Sequence, residues 1–284
     1  MLISIEWLQK LNQEFREAVM EQRKRPWEAI RRYSQENNRP VNISSNLAKE
    51  IFEWFESNSK PTAHQIGSLY DSVYFFDAAF WLVSIPIGYG RVKLSAVDSL
   101  IEMPQSLKEE IASTPKSAWD YLLYWADCVD YGNGIDDLRK SNHLDQFGTQ
   151  LLMAGDQELR TAVSQLKEGR PDSRAILSSR MATEIFLKSF IALKVGLCEK
   201  EAQGIGHNLE RGFDKFLQVS GYTHWAPLKT KLSVFPAIQD RYNEQDLSAE
   251  KLWQGFIFAQ SIGTVIIREH TARNTAKQVM DANK

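Results

Sequence analysis

The chain has 284 residues, 43% of them hydrophobic and 25% charged, enough apolar material for one large or two modest cores. A formal net charge of −2 removes any global electrostatic case for nucleic acid or a membrane surface. The halves differ mildly: residues 1–150 carry 16 Lys and Arg against 21 Asp and Glu, and residues 151–284 carry 18 against 15.

Cys128 and Cys198 show no zinc spacing and make no disulfide framework. The N-terminus lacks a basic segment followed by an apolar run, so no signal peptide is read there. These features together predict a protein of the reducing cytoplasm.

Almost every segment has helical spacing. Ser4 is placed to cap a helix striped by Trp7, Leu8, Leu11, Phe15, Ala18 and Val19. Arg23, Lys24, Arg25, Arg31 and Arg32 follow. Such a run could hold phosphates, but it reads more simply as a solvated helix end. After a break at Asn37–Pro40, Ser45 opens a helix with Leu47, Ile51, Trp54 and Phe55 on one face. Residues 73–87, VYFFDAAFWLVSIPI, are the most apolar run. The run falls short of the roughly 20 residues that a spanning helix needs, so a buried core helix is expected, with Asp77 in its core or at its edge.

Gly88–Gly90 reads as a turn without the phosphate-loop pattern. Ser117 to Asp120 resembles a capping box, and the helix it opens carries Trp119, Leu122, Leu123, Ala126 and Val129. Gly132-Asn133-Gly134 is a turn signal that should end this helix. Residues 133–155 are the expected seam between two parts, followed by a short helix with Leu159, Val163 and Leu166. Asp172 or Ser173 can then cap a helix bearing Ile176, Ile185, Leu187, Phe190, Ile191 and Leu193, with Gly196 ending it in the left-handed conformation. Glu184 and Lys188, four apart, are expected to share a solvated face or pair between helices. Asn208 should cap the next helix, striped by Leu209, Phe213, Phe216 and Leu217. Ser248 should cap a long one whose apolar residues lie on more than one face, with Gly263 as a close-packing point. The polar tail beyond Arg273 is expected to fray.

Three of these features, in this order, resemble a HEPN domain over roughly residues 172–273. They are the helix with Glu184, Lys188 and terminal Gly196, the Gly206-His207-Asn208-Leu209 segment, and the Arg241-Tyr242 pair before the last long helix. The expected fold is therefore all-α: an N-terminal helical domain over 1–150 and a C-terminal HEPN-like helical bundle over 151–284. The resemblance implies a module that binds nucleotide, RNA or a protein partner, often as a homodimer, in a bacterial or archaeal defence or toxin–antitoxin setting. Its ligand-binding residues would be Glu184, Lys188, His207, Asn208, Arg241 and Tyr242.

RNases of this family carry Arg-x(4–6)-His, in which histidine moves a ribose proton and arginine steadies phosphate charge. None of His64, His143, His207, His224 and His270 has an arginine five to seven residues upstream. Arg139 precedes His143 by four and Arg268 precedes His270 by two. No catalytic residue is assigned on this basis, and no cofactor, metal or membrane partner is expected. A binding module without catalysis is the first reading. An RNase with a non-standard active site and a scaffold subunit of a larger complex are the alternatives.

Overall fold

The computed structural model describes residues 3–60, 68–87, 94–243 and 246–282, with the side chains of 241 and 242 outside that description. The described residues are largely helical, with one two-stranded sheet. The chain divides into two compact units, Met1–Gly67 and Ser68–Lys284.

The first unit holds α1 (Ile5–Glu17), α2 (Arg25–Glu36) and α3 (Asn46–Ser57). Ser4 and Ser45 accept from Trp7 and Ala48 backbone N–H groups, which is the capping that their types favour. Leu8, Leu11, Phe15, Ile30, Ile51 and Phe55 form its core. The basic run is spent inside this unit. Arg25 is buried and donates to the Met20 carbonyl and to Asn12 Oδ1. Arg23 and Lys24 pair with Glu21, Arg31 with Glu28, and Arg32 with Glu14 and Glu28.

In the second unit, residues 73–87 are not a buried helix. β1 (Tyr70–Phe76) pairs antiparallel with β2 (Ala79–Ile85), Tyr70 opposite Ile85 and Phe76 opposite Ala79. Asp77 and Ala78 form the two-residue turn at φ 50 and 57, the signs a type I′ hairpin demands. Asp77 is exposed at the hairpin tip, not in a core or at a helix edge. A short continuous apolar run has no period that separates strand from buried helix. The Val, Tyr, Phe and Trp content settles it, because such side chains suit a pleated, half-buried surface. The hairpin docks through Tyr124, whose hydroxyl donates to the Val73 carbonyl at 2.5 Å, and through the Tyr70 hydroxyl on Gln260.

Helices α4 (Gln105–Ser113), α5 (Pro115–Arg139), α6 (Gln146–Leu166) and α7 (Ala175–Val195) follow. After them come α8 (Glu199–Ile205), α9 (Leu209–Ser220), α10 (Ala249–His270) and α11 (Thr275–Ala282). Two short 3₁₀ segments, Thr223–Val234 and Ile238–Tyr242, lie between α9 and α10. Helix α7 is central, packed on α6, α10 and α9, and is buried on nearly every face. Within the unit α10 packs on α7, α5 and α6. Gly196 ends α7 at φ 75 as expected. The start differs: Asp172 turns its carboxylate onto the Arg174 N–H, and the helix begins at Ala175 without a side-chain cap.

The expected seam at 133–155 is not where the chain divides. Gly132-Asn133-Gly134 lies inside α5, which starts at Pro115 rather than at the Ser117 box, and Gly155 lies inside α6. The glycines serve packing. A Cβ on Gly132 would sit 2.6 Å from Tyr70 Cβ, and one on Gly134 2.1 Å from Ile267 Cγ2. Gly263 behaves as expected, since a Cβ there would meet Tyr131 at 2.7 Å. Helix propensity alone favours Ala over Gly by about 1 kcal/mol. Tyr70 Cβ cannot yield without moving strand backbone, and overpacking costs about 1–3 kcal/mol. Gly132→Ala is therefore expected to lower the urea midpoint; a raised midpoint would mean that propensity outweighs the contact.

Candidate functional site

The sequence-predicted residues Glu184, Lys188 and His207 meet at one place. Helix α7 carries the first two, one turn apart. His207 stands in the loop between α8 and α9, which Gly206 turns at φ 65, ψ −146, a region that residues with a Cβ avoid. The Glu184 carboxylate is not solvated. Its side chain is 5% exposed, and it accepts from Lys188 Nζ at 2.8 Å. The His207 ring faces it through Nδ1, at 3.0 Å from Oε1 and 3.2 Å from Oε2. A carboxylate at Nδ1 selects the tautomer with the proton there, which leaves Nε2 of the neutral ring as an acceptor. The His207 side chain is 58% exposed, so that nitrogen can be reached.

Arg180 completes the cluster and was not singled out from the sequence. Its side chain is 6% exposed and Nη1 lies 3.5 Å from Glu184 Oε2. Nε donates to the Pro236 carbonyl at 3.0 Å and Nη2 to the His207 carbonyl at 2.8 Å. Nη1 is buried without a hydrogen bond. Burial pulls the guanidinium below its ordinary pKa, and Glu184 works against that shift. Arginine nonetheless stays charged at any physiological pH. The signal available was spacing: Arg180, Glu184 and Lys188 recur every four residues along α7.

Asn208 caps α9, its Oδ1 accepting from the Arg211 N–H at 2.9 Å, and borders a groove of about 610 Å³ beside the cluster. Arg180, His207, Phe235, Pro236 and Gln239 also line this groove. Arg241 and Tyr242 belong to the 3₁₀ segment that continues its wall; their side chains lie outside the described residues. Among the charged side chains, Arg180 and Glu210 line the groove itself, while Glu184 and Lys188 lie behind it.

Other chemistry-bearing residues are engaged elsewhere. Arg268 is tied to Asp127 at 2.5 Å and Asp130 at 2.8 Å. Its neighbour His270 is held toward the neutral form by burial, with Lys194 acting the same way and Glu269 opposing. Cys128 is buried, which pushes its thiol up to about 12, so it supplies no thiolate. Cys198 is exposed at the start of α8, remote in sequence from Cys128, and both are free. Among the described residues no group of three or more His, Cys, Asp or Glu could hold a metal ion. Nor is any helix among them long and apolar enough to cross a membrane. No family model, curated protein or solved structure matches this chain.

Proposed function

We propose that the helical bundle of the second unit is a HEPN-like module that binds a nucleotide or RNA at the Arg180–His207 groove without cleaving it. One observation carries the reading. Glu184, Lys188 and His207, taken from two separate motif pieces, meet at a single carboxylate beside an open groove. An exposed imidazole Nε2 suits a ribose hydroxyl or base N–H, and Lys188 braces the carboxylate that holds the ring. The absence of catalysis rests on what the arginines do. Arg180 is committed to two backbone carbonyls, and Arg268 to two aspartates, so neither is free to steady a developing phosphate charge.

The carboxylate–imidazole pair itself favours the second reading, an RNase with a non-standard active site. Glu184 orients His207 as a base is oriented in many hydrolytic sites. Labelled single-stranded RNA and a nucleotide panel, titrated at low salt by fluorescence anisotropy and then run on a gel, separate the two. Saturable binding, weakened about tenfold or more in His207→Ala and Lys188→Gln, with RNA left intact, is the expected result. Cleavage that disappears with His207→Ala would transfer the site to the enzyme reading. Binding untouched by either substitution would remove the groove from the function. Absence of binding, with a protein retained on purification, would favour the scaffold reading.

A further inference from the structure

A second groove, of about 650 Å³, lies between the 3₁₀ segment Thr223–Val234 and α10. Its size falls within the roughly 300–1,000 Å³ of small-molecule sites. Trp225, Leu228, Val234, Ile257 and Phe258 give it an apolar lining. Thr230, Ser233 and Ser261 also face it, but each hydroxyl already donates to a backbone carbonyl and so offers a ligand only lone pairs.

The charges around it have one sign. Lys231 and Lys251 line the groove and no Asp or Glu does. Neither ammonium has an ion-pair or hydrogen-bond partner among the described residues, and the same holds for the Gln254 amide and the Trp225 indole N–H. Lys229, two residues from Lys231, shows the contrast: it is paired with Asp214 at 2.7 Å. Lys251 stands in the first turn of α10, just past the Ser248 cap. Glu250 supplies the carboxylate of that first turn but does not line the groove. An anion would be drawn to Lys231 and Lys251, while an apolar body would cover Trp225 and Phe258.

We infer that this groove binds a small organic anion with an apolar body, of the class of a medium-chain carboxylate, its head group between Lys231 and Lys251 and its chain on the α10 floor. The site does not rest on the nucleic-acid reading. It shares Ser233 with the Arg180 groove, but none of the charged groups there.

Dodecanoate below its micellar concentration is the probe, titrated into the full chain by calorimetry, with dodecyltrimethylammonium as the charge-reversed control. Saturable one-to-one binding of the carboxylate is expected, about tenfold or more weaker in the Lys231→Gln/Lys251→Gln double variant. Both lysines are exposed, so that variant should keep the wild-type circular dichroism. Ser261→Trp, which fills the groove, should abolish dodecanoate binding while keeping the wild-type circular dichroism and thermal midpoint. No saturable binding of dodecanoate, equal affinity for the cationic control, or undiminished binding by the double variant would overturn the inference.

Discussion

Glu184→Ala is expected to lower the unfolding free energy by about 3 kcal/mol or more, because removing one partner of a buried ionic group leaves the others uncompensated. Among the described residues Glu184 is the carboxylate that Arg180, Lys188 and His207 share. Without it, Arg180 and Lys188 are left as largely buried cations on α7 with no counter-charge between them. Arg180 keeps the Pro236 and His207 carbonyls, which holds the cost near the lower end of the about 3–5 kcal/mol range for such losses. Glu184→Gln preserves shape and one acceptor oxygen and should cost less. Urea titration followed by circular dichroism measures both variants. Because the site is buried, the difference between them should change little with added salt, unlike that of a surface pair. An alanine variant with the wild-type midpoint would show that the carboxylate contributes no net stability.

The parts of the fold legible in the sequence were those set by local chemistry. Ser4, Ser45, Asn208 and Ser248 cap the helices they were expected to cap, since a side-chain oxygen and a free N–H are one turn apart in any context. The failures were set by neighbours distant in the chain. Gly132-Asn133-Gly134 signals a turn locally, but it is helical because Tyr70 and Ile267 need the room that two missing side chains leave. The hairpin turn at Asp77-Ala78 lacks the Asn-Gly or Asp-Gly pair that announces a type I′ turn, so nothing interrupted the apolar run. The site was half legible. Three of the named residues, Glu184, Lys188 and His207, lie together, but the burial of Glu184 and the part played by Arg180 depend on loops that reach α7 from His207 and Pro236. The groove along Thr223–Val234 carried no periodic signal, because 3₁₀ turns around Pro227 have neither the helix nor the strand repeat.

The tail was expected to fray; its residues Thr275–Ala282 instead form α11, and Asp130 ties that helix down. This residue of α5 is 1% exposed. Its carboxylate accepts from the Thr275 backbone N–H at 2.9 Å and from the Thr275 hydroxyl at 2.5 Å, and so caps α11 from another helix. It also accepts from Arg268 Nε at 2.9 Å. Asp130→Ala would remove the cap, worth about 1 kcal/mol, and break one side of a buried ion pair. Arg268 would retain Asp127, itself pushed toward the protonated form by burial while Arg268 pulls it back. A total loss of about 3 kcal/mol is expected, since the retained partner discounts the usual cost of a broken buried pair. The distribution of that loss is the sharper test. Hydrogen exchange should rise first in α11, before α7 responds, because α11 packs chiefly on α5 and has little other burial to hold it. Unchanged protection of α11 in the variant would mean that the Ala276 contact, rather than the carboxylate, anchors the tail.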